Sequence, residues 1–438
     1  MQKQLKSFKG GIHPPNFKNT SELKTVVMPL PTKVIIPMLQ HIGSACEPIV
    51  KKGDYVFVGQ KIGETKGFVS SPVHSSVSGT VIDIKPYLGL SGETVLAVEI
   101  VPDGLQKLHK SIAPINTKNK ADLIEKIKES GIVGLGGAGF PTFIKLSPPP
   151  DKKIDTLIIN GAECEPFITS DYREMIEKGQ SIIDGIKLLM SIIDVKKVFI
   201  GIEKNKQKAI NYLSKLIEGD NSIEIVALKT RYPQGGEKQL IYAITGLRVP
   251  MNGLPLDVGV VVQNVNTVSF LAEYIKTGIP LIKKRVTVEG TCIKNAMNIE
   301  VLIGTSLSEV FEFCGGFSEK PKKIIVGGPM MGVAQFSLDS VVLKPTNAII
   351  ALCEKDISKT VESVCIRCGK CVFVCPMELL PLSINALSVN GRAKETINYY
   401  INDCIECGCC SYICPASRHI VQSIRNAKIE LKKSASNI

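Results

Sequence analysis

The chain has 438 residues, with 53 Lys and Arg against 41 Asp and Glu, a formal net charge of +12 and 14 cysteines. That length has room for about three domains at roughly 100–200 residues each; no stretch reaches the ~18 consecutive apolar residues of a membrane span, and the basic start Met1-Gln2-Lys3-Gln4-Leu5-Lys6 lacks the apolar core of a signal peptide. The lysines are scattered and aromatics make up only 5% of residues, which argues against nucleic-acid binding and leaves a basic surface that steers an acidic redox protein or is merely soluble.

Residues 26 to 101 read as short alternating strands broken by turns, as in Val34-Ile35-Ile36-Pro37 and Ser78-Gly79-Thr80-Val81-Ile82-Asp83-Ile84. That spacing predicts a small sandwich. The run Val50-Lys51-Lys52-Gly53-Asp54-Tyr55-Val56, followed by Gly59-Gln60 and Ile62, looks like a biotinyl/lipoyl-type barrel-sandwich. The Met-Lys-Met hairpin that carries a swinging arm is missing and Lys66 is the nearest lysine, so docking or packing is the expected role.

From Lys120 the period changes. Residues 121–128 form an amphipathic helix stopped by Gly131. Strand-like runs at 154–160, 197–203, 223–228 and 258–263 then alternate with helix-like segments at 172–191, 207–218, 237–245 and 268–276. This alternation predicts a parallel sheet covered on both faces. Ahead of the first strand lies Gly134-Leu135-Gly136-Gly137-Ala138-Gly139-Phe140-Pro141-Thr142. Consecutive glycines let backbone N–H groups approach a phosphate, Pro141 suits the first turn of an anion-favouring helix, and Lys145 is placed to return over that turn. The loop follows a helix and not a strand, which counts against the ordinary dinucleotide fingerprint, and a tight helix–helix turn would use the same glycines. Residues 285–328 revert to strands around one helix at 306–313, the pattern of a small β-grasp, and 345–359 reads as a connector into the C-terminal part.

The C-terminal part carries Cys365, Cys368, Cys371 and Cys375-Pro376, then Cys404, Cys407, Cys410 and Cys414-Pro415, one spacing written twice. Three thiolates spaced by two residues wrap one face of a cubane, while the fourth, before a proline, ligates the other cluster. The expected sets are Cys365, Cys368, Cys371 and Cys414 for one 4Fe–4S cluster, and Cys404, Cys407, Cys410 and Cys375 for the second. Zinc patterns instead pair two cysteines with two more at a distance. Cys409 lies off the spacing and reads as a non-ligand. The spacer 377–403 carries a helix-like 379–387, and the tail holds a basic helix at 420–433. The remaining cysteines (Cys46, Cys164, Cys292, Cys314, Cys353 and Cys409) show no disulfide framework, in keeping with a reducing cytosol. Two clusters make an electron relay, which something else must feed.

The glycine loop, with Lys145, resembles the flavin-phosphate loop of the NADH-binding flavoprotein subunit of respiratory complex I. Three further pieces follow in the same order. Asn160-Gly161-Ala162-Glu163-Cys164-Glu165-Pro166 is similar to that family's Asn-x-x-Glu-x-Glu-Pro turn. Tyr232-Pro233-Gln234-Gly235-Gly236-Glu237 resembles its Tyr-x-x-Gly-Glu-Glu loop with Gly236 in place of the first glutamate, and Gln263-Asn264-Val265-Asn266-Thr267 its Asn-Asn-Val-Glu-Thr. Across nearly the whole chain, the order of units together with His13-Pro14-Pro15, Gln40-His41-Ile42-Gly43 and Pro72-Val73-His74-Ser75-Ser76-Val77-Ser78-Gly79 resembles the RnfC subunit of Rnf electron-transport complexes.

The resemblance implies a multidomain α/β chain. An N-terminal β barrel-sandwich hybrid would span 1–115 and an FMN/NADH-binding α/β domain 116–280. A β-grasp of the SLBB type would span 281–345, and a two-cluster ferredoxin-like α domain 346–438. Gly136, Gly137, Gly139 and Lys145 match the phosphate loop for non-covalent FMN. Asn160, Glu163, Gln263, Asn264 and Thr267 match positions around the flavin, and Glu165, Tyr232 and Glu237 match the nicotinamide-nucleotide side. Gly236 leaves one expected nucleotide contact missing. None of the five histidines sits in a catalytic-looking motif, consistent with hydride transfer left to the flavin. The implied role is that of a peripheral subunit of an ion-translocating ferredoxin:NAD oxidoreductase on the cytoplasmic face of the membrane. It would be held by other subunits, reach acidic ferredoxin through the complex and take NAD(H) as substrate. The alternatives are a cobalamin reductase of bacterial microcompartments, a scaffold subunit with a vestigial flavin pocket, and a plain ferredoxin-like carrier. The His13-Pro14-Pro15 opening counts against the first, and the long region ahead of the clusters against the last.

Overall fold

Alternating burial along short strands builds the N-terminal unit. In the computed structural model, which describes residues 5–65, 67–90, 92–357 and 361–436, strands Val34–Pro37, Thr94–Pro102, Gly79–Leu88 and Tyr55–Val56 form one sheet in that order. Glu47–Pro48, Lys61–Glu64 and Val73–His74 form a second. Val34, Ile36, Val56, Ile62, Val73, Val81, Val98 and Ile100 fill the space between them. Lys66 lies outside the described residues.

The central unit is a parallel sheet in the order Ile223–Leu228, Lys197–Glu203, Thr156–Gly161, Val260–Asn264. Its two interior strands are apolar on both faces, as a sheet covered by helices on each side requires. Helices Lys120–Glu129, Gly179–Ile193, Gln207–Leu216 and Val265–Thr277 cover one face, and Glu237–Thr245 the other. The helix expected at 172–191 is two helices, Ser170–Glu177 and Gly179–Ile193, broken at Lys178 (φ −129°, ψ 32°). At the break the Gly179 backbone lies so close to helix Gln207–Leu216 that an added Cβ would come within 2.5 Å of the Tyr212 ring.

The third unit is a mixed sheet of Val26–Val27, Met297–Leu302, Lys283–Glu289, Ala348–Leu352, Lys323–Val326 and Val333–Gln335, with helix Leu307–Phe313 packed on it. Three of these strands, Val26–Val27, Val333–Gln335 and Ala348–Leu352, lie outside the run 285–328 expected to build this unit. Ala348–Leu352, in the expected connector, runs through the middle of the sheet, beside Lys283–Glu289 and Lys323–Val326. Its five residues are almost fully buried, so its pairing is set by neighbours far away in sequence. Val26–Val27 joins the sheet edge instead of the N-terminal sandwich.

The cysteine module is helical. Helices Lys370–Phe373 and Cys409–Tyr412 follow the first cysteines of each run, and Pro381–Val389 packs against Ile420–Ser436. The backbone repeats itself residue by residue. Arg367 and Glu406, Gly369 and Gly408, and Glu378 and Ser417 all adopt positive φ at matching places. No described helix is long and apolar enough to cross a membrane.

Candidate functional site

Open parallel sheets bind ligands beyond the carboxyl ends of their strands where the strand order reverses. Here that point lies between Thr156–Gly161 and Val260–Asn264, and their ends place Asn160 directly beside Asn264. Asn264 caps helix Val265–Thr277 by accepting from the Asn266 N–H at 2.9 Å. The glycine loop sits over this terminus. The Leu135 N–H donates to Thr267 Oγ1 at 3.0 Å, and the Lys284 amine donates to the Leu135 carbonyl at 2.6 Å. An added Cβ on Gly136 would fall 3.0 Å from Asn264 Nδ2. Gly136, Gly137, Gly139, Asn160, Gln263, Asn264 and Thr267 therefore gather at one end of the sheet. The helix after Pro141 is a single turn, Thr142–Lys145, so the thirteen-residue Val265–Thr277 supplies the stronger dipole at this end. Gln263 is buried and its Nε2 has no hydrogen-bond partner among the described residues, an orphan donor that a ligand acceptor would satisfy.

Other expected residues are held differently. The Lys145 amine donates to Glu237 at 2.6 Å and to the Val262 carbonyl at 3.2 Å, so a phosphate would compete with Glu237 for it. The Glu163 carboxylate accepts the Asp171 and Tyr172 N–H groups at 2.6 and 3.3 Å, which caps helix Ser170–Glu177. Glu165 accepts from the Met330 and Met331 N–H groups at 3.1 and 2.9 Å, and an added Cβ on Gly328 would lie 2.3 Å from its carboxyl. Tyr232 is fully buried, and its hydroxyl donates to the Cys407 carbonyl at 2.7 Å. Tyr232 thus meets the cysteine module, and Glu165 the turn at Met330 and Met331 of the third unit.

Burial dominates the electrostatics. It pushes the Glu163 and Glu165 carboxyls up to about 7 and raises Asp171 as well. It lowers the Lys284 amine to about 7 and keeps the Cys164 thiol protonated, up to about 12. Such a concentration of displaced groups is characteristic of functional sites.

Several residues that hold the site were not foreseen. The Lys18 amine donates to the Glu163 carbonyl at 3.0 Å, the Glu165 carbonyl at 2.8 Å and the Ile168 carbonyl, while Lys206 donates to the Ala162 carbonyl at 2.5 Å and to Glu203 at 2.9 Å. The two lysines, one from the N-terminal segment and one from the turn after Lys197–Glu203, hold the same turn. Asp171 accepts from the side chains of Asn264 (2.8 Å) and Asn266. An acidic residue in the first turn of a helix was the only local signal for Asp171, and nothing local marked Lys18.

The cysteines converge as two sets. Cys365, Cys368, Cys371 and Cys414 line one open cavity, and Cys375, Cys404, Cys407 and Cys410 line a second, together with Cys409. In each, the cysteine before proline comes from the other run. Among the described residues no three His, Cys, Asp or Glu side chains close on a single metal ion. Four thiols ringing a cavity suit a cubane better than one zinc. The second set abuts the flavin-side turn, where Cys407 and Cys409 pack with Tyr232, Cys164 and Met330. Cys409 is buried against the Tyr232 carbonyl, 3.9 Å from its sulfur.

Four family models match in this order: the RnfC barrel sandwich hybrid domain (6–105), the Nuo51 FMN-binding domain (127–273), the SLBB domain (285–334) and the 4Fe-4S dicluster domain (364–417). The chain is 50% identical over 429 residues to the RnfC subunit of the Na(+)-translocating ferredoxin:NAD(+) oxidoreductase complex of Acetobacterium woodii, covering 97% of each chain. It is 47% identical to the counterpart in the proton-translocating complex of Clostridium ljungdahlii, over 97% of this chain and 94% of that one. To the counterpart in the ion-translocating oxidoreductase complex of Rhodobacter capsulatus it is 40% identical, over 87% and 74%. The chain belongs to the RnfC family of ion-translocating oxidoreductase subunits. As a member of that family it is an electron-transport protein that takes FMN and 4Fe–4S clusters, and the orphan Gln263 donor and the two thiol-ringed cavities fit those groups.

Proposed function

We propose that this chain is the peripheral, cytoplasmic-face subunit through which a membrane-bound Rnf complex exchanges electrons with NAD(H), an ion-translocating ferredoxin:NAD oxidoreductase. The observation that supports it most is the junction at Tyr232, where the second set of cysteines packs on the flavin-side turn with no intervening domain. When bound, FMN exchanges a hydride with NAD(H) and single electrons with 4Fe–4S clusters.

The residues assigned to holding FMN are the loop glycines Gly136, Gly137 and Gly139 with Asn160, Gln263, Asn264 and Thr267. Glu163 orders the adjoining turn, and Lys145 and Glu237 stand at the edge where charged groups of FMN or the nucleotide are accepted. Tyr232 is assigned to tying this end of the unit to the cysteine module, and Glu165 to tying it to the turn at Met330 and Met331. Two clusters are assigned, one to each cysteine set. The Acetobacterium and Clostridium complexes carry sodium in one case and protons in the other, at almost equal identity to this chain. Ion choice is accordingly assigned to other subunits of the complex.

The test separates the two cofactor regions. Cys371→Ser should keep NADH-to-dye reduction and lose ferredoxin-linked transfer in the assembled complex, with both rates normalised to flavin content. Glu237→Ala should lower both. Full ferredoxin coupling in Cys371→Ser would remove the clusters from the path.

A further inference from the structure

The two halves of the cysteine module share a backbone, and each residue of the first run has its counterpart at one constant separation in the second. The side chains that wall the two cavities are nevertheless unlike. The inner cavity, beside the flavin-side turn, holds Cys375, Cys404, Cys407 and Cys410 and is walled by apolar residues such as Leu379, Ile405, Val421 and Ile424, with no charged side chain in its lining. The cations near it each meet a carboxylate. Arg425 and Lys428 pair with Glu406 at 3.0 and 2.9 Å, and Lys238 pairs with Asp403 at 3.1 Å.

The outer cavity, which holds Cys365, Cys368, Cys371 and Cys414, has Arg367, Lys370 and Arg418 in its lining. Their counterparts in the other half are Glu406, Cys409 and Leu379. Arg418 is the most sheltered of the three, its side chain 21% exposed. Its guanidinium donates to Asn385 Oδ1 at 3.3 Å, and the Asn385 amide is held in turn by donating to Ser423 at 2.7 Å. Asn385 also lines this cavity, where the inner one has Ile424 at the equivalent place. Glu362 lies 3.2 Å from the Arg418 guanidinium, whereas Arg367 and Lys370 make no ion pair among the described residues, so the wall keeps an excess of positive charge. Cys365 and Cys368 are exposed, where the equivalent Cys404 is half-buried and Cys407 buried.

We infer that Arg418, positioned by Asn385 and seconded by Arg367 and Lys370, raises the reduction potential of the cluster held by the outer cysteine set above that of the inner set. The inference rests on the cluster assignment proposed above. Reduction adds one electron and no proton to a centre already made negative by four thiolates. Nearby cations and access to water stabilise that added charge, and an apolar wall does not. Arg418 carries the largest share, because Arg367 and Lys370 are exposed and therefore screened by salt. An electron given to the module comes to rest at the outer set. The inner set, next to the flavin-side turn, is the harder of the two to reduce.

The experiment titrates the cluster-loaded full chain anaerobically with a strong chemical reductant and mediator dyes, following the iron–sulfur signals by electron paramagnetic resonance. The parent should reduce in two separate one-electron steps. Arg418→Leu, which installs the inner residue, should move the upper step to lower potential, so that the ratio of reduced to oxidised cluster at a fixed potential falls at least about tenfold. The lower step should stay in place. Arg418→Lys keeps the charge and should restore most of the upper step. Arg367→Gln with Lys370→Gln should move the same step by less, and added salt should shrink that smaller shift first. If Arg418→Leu fails to hold iron, the Arg367→Gln, Lys370→Gln pair decides alone. A parent whose two clusters reduce in a single step would overturn the proposal. So would an upper step that no iron-replete variant moves, or a lower step that moves in its place. No NADH or flavin enters the measurement, so it stands apart from a failure of the flavin assignment, and iron content of the parent tests the clusters separately.

Discussion

Lys344 is fully buried where three units meet. Its amine donates to the Pro72 carbonyl of the sandwich and the Gly131 carbonyl beside the glycine loop, both at 2.6 Å, and its own N–H donates to Gln40 at 3.2 Å. Burial lowers its amine to about 7, from an ordinary 10.5. Between those values the unfolded chain binds a proton that the folded chain does not, so this residue makes stability rise with pH, and the contribution is lost as pH falls through 7. The groups facing it are His41, lowered to about 4, His74, also lowered, and Cys46, whose thiol is raised by burial; the comparison is therefore made between pH 7 and 9. Lys344→Met should cost about 1–3 kcal/mol for each carbonyl left without a donor. The urea midpoint of the parent should also gain on the variant from pH 7 to pH 9. Parallel curves would mean that the amine stays charged.

Two elements carry the next predictions. Helix Val265–Thr277, which presents Asn264 and Thr267 to the glycine loop, lies against helix Gly179–Ile193 at Gly185, where an added Cβ would stand 2.1 Å from the Val268 carbonyl. Gly185→Ala should force the helices apart at a cost of about 1–3 kcal/mol. Flavin retention should fall with it, because the helix that moves is the one under the loop; unchanged melting temperature and flavin content would show that the contact yields. In the cysteine module, Cys409 points to the Tyr232 carbonyl and stands off the ligand spacing. Cys409→Ser should keep the parent's iron content, while Cys368→Ser should lose most of one cluster. Equal iron loss in both would reverse the ligand assignment.

At the scale of the whole molecule, residues 5–27 act as a strap. Ile12 exchanges backbone hydrogen bonds with Tyr232 (2.8 and 2.9 Å), Gly11 donates to the Val374 carbonyl at 2.8 Å, Phe17 stacks on Phe167, and Lys18 clamps the flavin-side turn. Val26–Val27 then reaches the β-grasp sheet. The strap touches the cysteine module most tightly at Gly10 (φ 74°), where a Cβ would meet the Cys375 carbonyl oxygen at 2.7 Å. Gly10→Ala should loosen the module, seen as faster proteolysis between it and the remainder and as slower ferredoxin-linked transfer at unchanged NADH–dye rate. Gly53→Ala (φ 92°), with nothing within 4 Å, carries the backbone strain of about 1 kcal/mol alone and serves as the control. Equal behaviour of the two variants would leave the strap without a role in docking.

The amino-acid order by itself determined what depends on short range. Each cysteine run spans a few turns, so its spacing brings three thiols together; one cavity is lined by Cys365, Cys368, Cys371 and Cys414, the other by Cys375, Cys404, Cys407 and Cys410 with Cys409. Strands 197–203 and 223–228 and helix 237–245 likewise follow from local periodicity. Partnership over long range was decided only by tertiary structure. Tyr232 and Glu165 are given to the nucleotide side by resemblance alone; that the Tyr232 hydroxyl meets the Cys407 carbonyl and Glu165 the Met330 N–H is set by packing between units. Lys145 meets Glu237, and Lys18 meets a turn near Glu163, through contacts that no local pattern encodes. Strand Ala348–Leu352 finds its place only once its two neighbours are in position. The physical reason is that periodicity and spacing act within a few residues of backbone, whereas a buried donor or charge takes whichever acceptor the packing of separate units brings within reach.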